Sequence, residues 1–195
     1  MRSLVLIALT VLLAACGSAT KEKSRPQQAG KPLDPAETAA RMAAANLAAA
    51  TGNQEAYARQ VEAISDDIRR SIKLADPARA VDRESARQAA RTVSGVRSVV
   101  WLDAHNLFAI VEENHQRSYP QIDAICLELE PLGDTLGVVV NLQSGAARTG
   151  DELEILSRNC QLAPGDRAFL QPHRKIDVID PEIRRQHRAN QQRAQ

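Results

Sequence analysis

Aromatic side chains are scarce in this chain of 195 residues, which holds two Phe, two Tyr and one Trp. A core therefore has to be built from Leu, Ile, Val and the abundant Ala, which suits a modest helical or α+β core. An excess of one charge is also lacking, because 25 basic and 24 acidic residues leave a formal net charge of +1. A near-neutral chain exerts no long-range attraction on polyanions, so we expect no nucleic-acid partner.

Motifs that carry catalysis or hold a cofactor are missing from the sequence. There is no Gly-x-Ser-x-Gly nucleophile motif and no glycine-rich phosphate loop. The four histidines are scattered, without the close Cys/His spacing of a metal site, so we expect neither metal nor cofactor. The best catalytic candidates are Asp103 and His105, with His115 further along, but Asp and His are also ordinary turn residues. The sequence therefore favours a protein without catalytic activity.

The N-terminus has the pattern of an export signal. Arg2 precedes a short apolar run at 4–13, which small residues follow. The run is shorter than the roughly 20 apolar residues of a spanning helix. Leu13-Ala14-Ala15-Cys16 resembles the lipobox of bacterial lipoproteins. That resemblance implies a signal peptide at 1–15, cleavage before Cys16, and fatty acyl chains on the sulfur and the new amino group of Cys16. Two alternatives to a lipoprotein remain: Cys16 is an incidental cysteine in a plain signal peptide, or the apolar run is an uncleaved anchor.

The residues after Cys16 bear on location. Gly17, and not an aspartate, follows Cys16, which by resemblance to proteobacterial lipoproteins favours sorting to the outer membrane, on its periplasmic face. The inner membrane is the alternative. Residues 16–34 are polar and cannot bury a core, so they predict a flexible tether.

Two cysteines remain once Cys16 carries lipid. Cys126 and Cys160 are an even pair in an exported chain, which predicts one disulfide. Two buried free thiols are the alternative.

The first part of the domain at 35–195 shows helical patterns. Asp34-Pro35 is a cap followed by a proline suited to the first helical position, and it predicts a helix over 35–50. A second helix, about 53–74, has one apolar face with members at three- and four-residue steps: Tyr57, Val61, Ile64, Ile68 and Ile72. Asp76-Pro77 predicts a third helix running to 93.

Strand patterns follow. Runs of β-branched and aromatic residues flank the turn at 103–106 and predict a β-hairpin at about 96–111. Ser118 and Gln121 have the spacing of a capping box that opens a helix with Cys126 on its buried side. A third strand is expected at about 136–142. The order of elements over 78–142 resembles ferredoxin-like α+β modules. The Gly95-Val96 entry is similar to that of heavy-metal-associated domains, but their Cys pair before the first helix is absent here, so metal binding does not carry over.

The remaining segments complete the predicted fold. Thr149 and Glu152 predict a capping box and a short helix to about 159. Short edge strands are expected at 168–170 and 176–179, and a terminal helix at 182–195. The predicted class is α+β: N-terminal helices, then a ferredoxin-like antiparallel sheet packed by helices.

Function is expected to follow from the anchor and from the lack of a catalytic constellation. The sequence predicts a lipid-anchored, periplasm-facing envelope lipoprotein that works as a non-catalytic protein-binding module. Its partners would be the membrane, through Cys16, and an envelope protein. An immunity-type lipoprotein that neutralises an antibacterial toxin is one alternative, and an accessory subunit of a secretion or assembly complex is another. An envelope hydrolase would need Asp103 and His105 beside a nucleophile.

Overall fold

A computed structural model describes residues 25–174, 176–177 and 179–193. The predicted signal peptide and Cys16 lie outside these residues. In the part of the chain that is described, no helix combines the length and apolar character needed to cross a membrane.

Two antiparallel helices, α1 (Pro35–Ala50) and α2 (Gln54–Ser71), form a unit that we call the helical arm, residues 35–71. Asp34 caps α1, its Oδ1 accepting the Ala36 N–H at 2.8 Å, as the sequence predicts. The two helices meet through small side chains of α1, Ala45 and Ala48, which are buried. None of the residues of α2, all of which the structure describes, is fully buried. The predicted apolar face of α2 therefore exists but is not part of the core.

Ion pairs attach the base of the arm to the rest of the molecule, which we call the body. Arg69 lies 2.9 Å from both Asp66 and Asp76, and Arg79 lies 2.8 Å from Asp66. These links join the last turns of α2 to the segment that follows it.

The third helix, α3 (Arg83–Arg91), begins later than predicted. Residues Pro77–Arg79 form one 3-10 turn, after which Ala80 pairs through its backbone with Asp134. Asp82 then supplies a second cap, because its Oδ1 accepts the Ser85 N–H at 2.9 Å. The helix starts at Arg83 because the bridge at Ala80 engages the backbone that a longer helix would use.

The sheet has four strands in the order β1-β2-β3-β4: Val96–Trp101, Asn106–Val111, Val139–Ser144 and Leu156–Asn159. The predicted hairpin is present, since β1 and β2 pair antiparallel, and the α+β class with helices before the sheet is confirmed. The sheet is mixed, however, and not antiparallel throughout. Strand β3 pairs parallel to β2 because α4 (Tyr119–Leu129) carries the chain back between them, as in a βαβ crossover.

Helices α3 and α4 supply the core beneath the sheet. The apolar strand side chains Val99, Leu107, Ala109 and Leu142 are buried in one cluster with residues of both helices. Cys126 of α4 and Cys160, which follows β4, form the predicted disulfide, with an S–S distance of 2.05 Å.

The two predicted capping boxes differ in outcome. Ser118 is the N-cap residue of α4, which begins at Tyr119 as the sequence predicts, but the expected cap hydrogen bonds are absent. Gln121 instead donates its Nε2 to the Ser94 carbonyl at 2.7 Å. Thr149 and Glu152 do exchange hydrogen bonds of 3.1 and 3.3 Å, but only turns follow them. Residues 156–159 are strand β4, because the edge of β3 offers ladder hydrogen bonds to this short segment.

The C-terminal region also differs from the prediction. Residues 168–170 and the described residues of 176–179 are not strands. Helix α5 (Pro181–Arg193) is present, and the Oδ1 of Asp180 accepts the Glu182 N–H at 2.8 Å. Proline at the first helical position favours this start.

The last described residues before α1, within the predicted tether, contact both the body and the arm. The N–H groups of Ala29 and Gly30 donate to the carbonyls of Gln161 and Arg70, both at 2.8 Å. Pro26 is buried. Backbone hydrogen bonds thus hold residues 29–30, which lie within the segment 16–34 for which the sequence predicts a flexible tether.

Candidate functional site: an apolar groove at the base of the arm

A groove of about 430 Å³ lies between the segment after α2, the β1–β2 turn and residues 168–171. Its lining is largely apolar and includes Leu74, Ala75, Val81, Trp101, Val138 and Phe169. Ligand and partner sites are typically concave and mostly apolar, with few polar groups. This groove is the strongest candidate for a binding site among the described residues.

Trp101 and Phe169 are the aromatic rings in the lining of the groove, and Trp101 belongs to the sheet. It ends β1, where the strand delivers it next to α3, and its Nε1 donates to the Arg83 carbonyl at 2.8 Å. That hydrogen bond satisfies the indole N–H. The ring packs in part against the core, and its remaining surface lines the groove.

Phe169 and Leu170 form the rim of the groove and are 61% and 80% exposed. The Phe169 N–H donates to the Lys73 carbonyl at 2.7 Å, which ties the rim to the segment that follows α2. Leu170 has a φ of +64°, a backbone conformation that costs a branched residue about 1–3 kcal/mol. Contacts with the body therefore keep the backbone in this unfavourable conformation, and the two adjacent apolar side chains remain exposed to solvent.

Gln171 anchors the rim from below. Its Oε1 accepts from Asn159 Nδ2 and from the Ala168 N–H, each at 3.3 Å, and its Nε2 donates to the Gly137 carbonyl at 3.4 Å. Ala168 packs into a small second cluster with Leu136 and Leu162. The rim is therefore connected to the folded body and is not a free loop.

Asp103 is occupied in holding the β1–β2 turn. Its carboxylate accepts the His105 N–H at 2.8 Å, the backbone and side-chain N–H groups of Asn106 at 2.9 Å, and Arg174 Nη1 at 2.8 Å. Burial raises the pKa of Asp103, but these hydrogen bonds outweigh burial and hold that pKa well below its usual range. The Asp103 carboxylate therefore serves to stabilise the turn.

The imidazole of His105 is oriented by a different group. Its Nδ1 lies 3.1 Å from the Gly137 carbonyl, and Asp103 contacts only the backbone of His105. His105 does line the groove, but the described lining residues include no Ser, Thr or Cys beside it. His115 lies beyond the opposite end of β2, beside Glu113 at 3.1 Å. The structure therefore brings Asp103 and His105 together without building an acid–base pair.

Other candidate sites are accounted for. Cys126 and Cys160 are joined in the disulfide, and Cys16 lies outside the described residues. Across the described ranges, no cluster of three or more His, Cys, Asp or Glu is arranged to hold a metal ion.

Sequence reasoning missed the groove because its parts are far apart in the chain. The one available signal was the apolar pair Phe169-Leu170 placed between a Pro-Gly turn and Gln171-Pro172. On the sequence alone, however, that pair falls in the short edge strand predicted at 168–170. The chain matches no protein-family model, no curated protein and no solved structure.

Proposed function

We propose that this protein is a lipid-anchored, periplasm-facing envelope lipoprotein that binds another protein through the groove at the base of the arm. The observation that carries this proposal is the rim of Phe169 and Leu170 beside an apolar groove. Exposed apolar residues that adjoin a groove mark interaction sites, and aromatic anchors in desolvated pockets dominate the energetics of binding.

The groove suits an apolar side chain of a partner. Trp101 offers a ring face whose polar atom is already paired, and the rim offers two aliphatic or aromatic contacts. An inserted Leu, Met or Phe would remove both surfaces from water, at about 25 cal/mol per Å² of apolar area. The use of the Asp103 carboxylate to hold the β1–β2 turn supports a non-catalytic role.

The anchor is supported by the resemblance of Leu13-Ala14-Ala15-Cys16 to a lipobox. The bound segment from Pro26 adds a geometric consequence. Between Cys16 and Pro26 the chain spans at most about 3.3–3.6 Å per residue, or roughly 35 Å. The body would thus work close to the membrane, with the outer membrane as the proposed site.

Two experiments test this function. Labelled fatty acid should be incorporated by the natural chain and not by Cys16→Ser; an unlabelled natural chain would refute the anchor. A photo-crosslinking amino acid at position 169 should capture an envelope protein in living cells.

Position 183 is a matched control for the crosslinker, because Ile183 is also 61% exposed but lies outside the groove. With the crosslinker at Ala104, which lines the groove, Phe169→Ser should reduce the adduct. Equal capture at 169 and 183, or no capture at 169, would contradict the groove as the site. A captured toxin would favour the immunity role, and a captured secretion or assembly subunit the accessory role.

A further inference from the structure

The apolar face of α2 has no partner in the described chain. Tyr57, Val61, Ile68 and Ile72 are 41% to 53% exposed, and α1 covers only the neighbouring side of the helix. Arg41 of α1 reaches Asp67 at 3.0 Å, so the two helices of the arm are already joined to each other. What remains open is an apolar stripe that runs from Tyr57, in the first turn of α2, to Ile72, which directly follows the helix.

The stripe is symmetric along the chain. Its midpoint lies between Ile64 and Ser65: Val61 is three residues before Ile64 and Ile68 three after Ser65, whereas Tyr57 and Ile72 are seven residues away in each direction. In a two-fold interface residue i meets j and j meets i. Because the spacing of the apolar positions is the same from both ends, each exposed apolar residue meets another one when two copies lie antiparallel.

Charge favours a second copy over a membrane surface. Helix α2 carries four acidic and three basic residues, whereas helices that lie on membranes are rich in Lys and Arg on their polar face. Near the base of the arm the charges are already paired within the chain: Asp66 with Arg69 and Arg79, and Asp67 with Arg70. The stripe is therefore not flanked there by an unpaired excess of one sign.

Antiparallel pairing also follows from the rest of the molecule. Helix dipoles oppose each other favourably when neighbouring helices run in opposite directions. Because the body is attached at the base of the arm through Arg69–Asp76 and Arg79–Asp66, parallel pairing would bring both bodies to the same end. Antiparallel pairing places the bodies at opposite ends.

We infer that this face is a homodimer interface, in which α2 pairs antiparallel with α2 of a second copy about an axis between Ile64 and Ser65. The two arms together make a four-helix unit. Helix α2 is about 27 Å long and about 10 Å wide, on the order of 300 Å² of face, against roughly 800 Å² per partner in a standard interface. The dimer is accordingly weak and depends on concentration. The inference does not rely on the groove or on the lipid.

Cysteine crosslinking of the full-length chain tests the register directly. Cells co-produce two differently tagged copies, one with Val61→Cys and one with Ile68→Cys, and their membranes and lysates are treated with a thiol oxidant. The two positions face each other in the proposed dimer, so a mixed disulfide is expected. Two Val61→Cys copies would be about 10 Å apart along the axis, beyond the ~7 Å Cα separation that a disulfide spans. Either variant alone should crosslink poorly.

Two further variants complete the test. Ser65→Cys, next to the axis, should crosslink with itself, and Arg59→Cys, on the opposite side of α2, should not. In detergent, the natural full chain should sediment as a mixture of monomer and dimer that shifts with concentration. Val61→Glu with Ile68→Glu should sediment as a monomer while keeping the helical circular dichroism of the natural chain.

Three results would overturn the inference. Self-crosslinking of Val61→Cys above the mixed pair would mean parallel pairing. A strictly monomeric natural chain at all accessible concentrations would mean no dimer. Crosslinking of these cysteines to a different protein, in place of a second copy, would mean that the face belongs to another partner.

Discussion

The disulfide between Cys126 and Cys160 allows a quantitative test of how this domain is stabilised. The perturbation is replacement of both cysteines by alanine. The bond closes a loop with a sequence separation of 34 residues. The chain-entropy model assigns a loop of that size about 4 kcal/mol at 25 °C, through restriction of the unfolded chain. Both residues are buried in the core, so the comparison needs a replacement that stays apolar.

Alanine is the appropriate replacement for this reason. Serine would place two hydroxyl groups in an apolar cluster and cost a further ~1–3 kcal/mol for each unpaired group. We expect the alanine pair to unfold about 4 kcal/mol more easily than the natural protein. For a chain of this size that corresponds to a fall of roughly 8–16 °C in Tm.

Urea unfolding, followed by the fluorescence of Trp101 and by far-ultraviolet circular dichroism, measures the difference. The natural protein is compared with and without reductant, and the reduced form should unfold near the alanine pair. The reasoning is refuted if the oxidised natural protein and the alanine pair differ by less than about 1 kcal/mol, since loop closure would then contribute little.

Four further substitutions test other parts of the structure. Gly133→Ala should cost more than about 2 kcal/mol, because its φ is +153° and a Cβ would lie 2.4 Å from the Arg79 carbonyl. Gly165→Ala, with φ +86° and open space around it, should cost about 1 kcal/mol; equal losses in thermal unfolding would contradict this. Asp103→Asn should cost about 1–2 kcal/mol at pH 7 after allowance for solvent screening. Because the folded-state pKa is lowered, this stability is complete above the unfolded pKa of about 3.9 and is lost as pH falls further, so the gap to the natural protein should narrow at pH 3 in urea unfolding. A constant gap would disprove it. Asn141→Leu should cost about 2 kcal/mol in the same assay, because it strands the partners of a buried amide, and an unchanged midpoint would be the contrary result.

The helices that could be predicted carry their own boundary signals. Asp34 and Pro35 start α1 at the predicted residue, and the Asp180-Pro181 pair starts α5 within a residue of its prediction. These features depend on hydrogen bonds between residues two to four positions apart, so a local pattern contains the whole cause. The hairpin is local in the same sense, because its turn is held by Asp103.

Features that depend on distant partners could not be predicted. Residues 156–159 have a helical pattern but become β4 because β3 presents an open edge to them. The start of α3 moves from Pro77 to Arg83 because Ala80 pairs with Asp134, which is far along the chain. The secondary structure of such segments is decided by which hydrogen-bonding partners lie next to them in the fold, and not by their own propensity.

The sequence by itself determined the α+β class, the start of α1, the β1–β2 hairpin and the partners in the disulfide, because each rests on local periodicity, capping chemistry or a count of cysteines. Tertiary structure decided the parallel pairing of β2 with β3, the groove and the exposure of the α2 stripe. The stripe shows the reason most clearly: Tyr57, Val61 and Ile68 have the spacing of a core face, and spacing marks which side of a helix is apolar. Whether that side is covered depends on what else the chain brings to it, and among the described residues the helix that packs against α2 is α1.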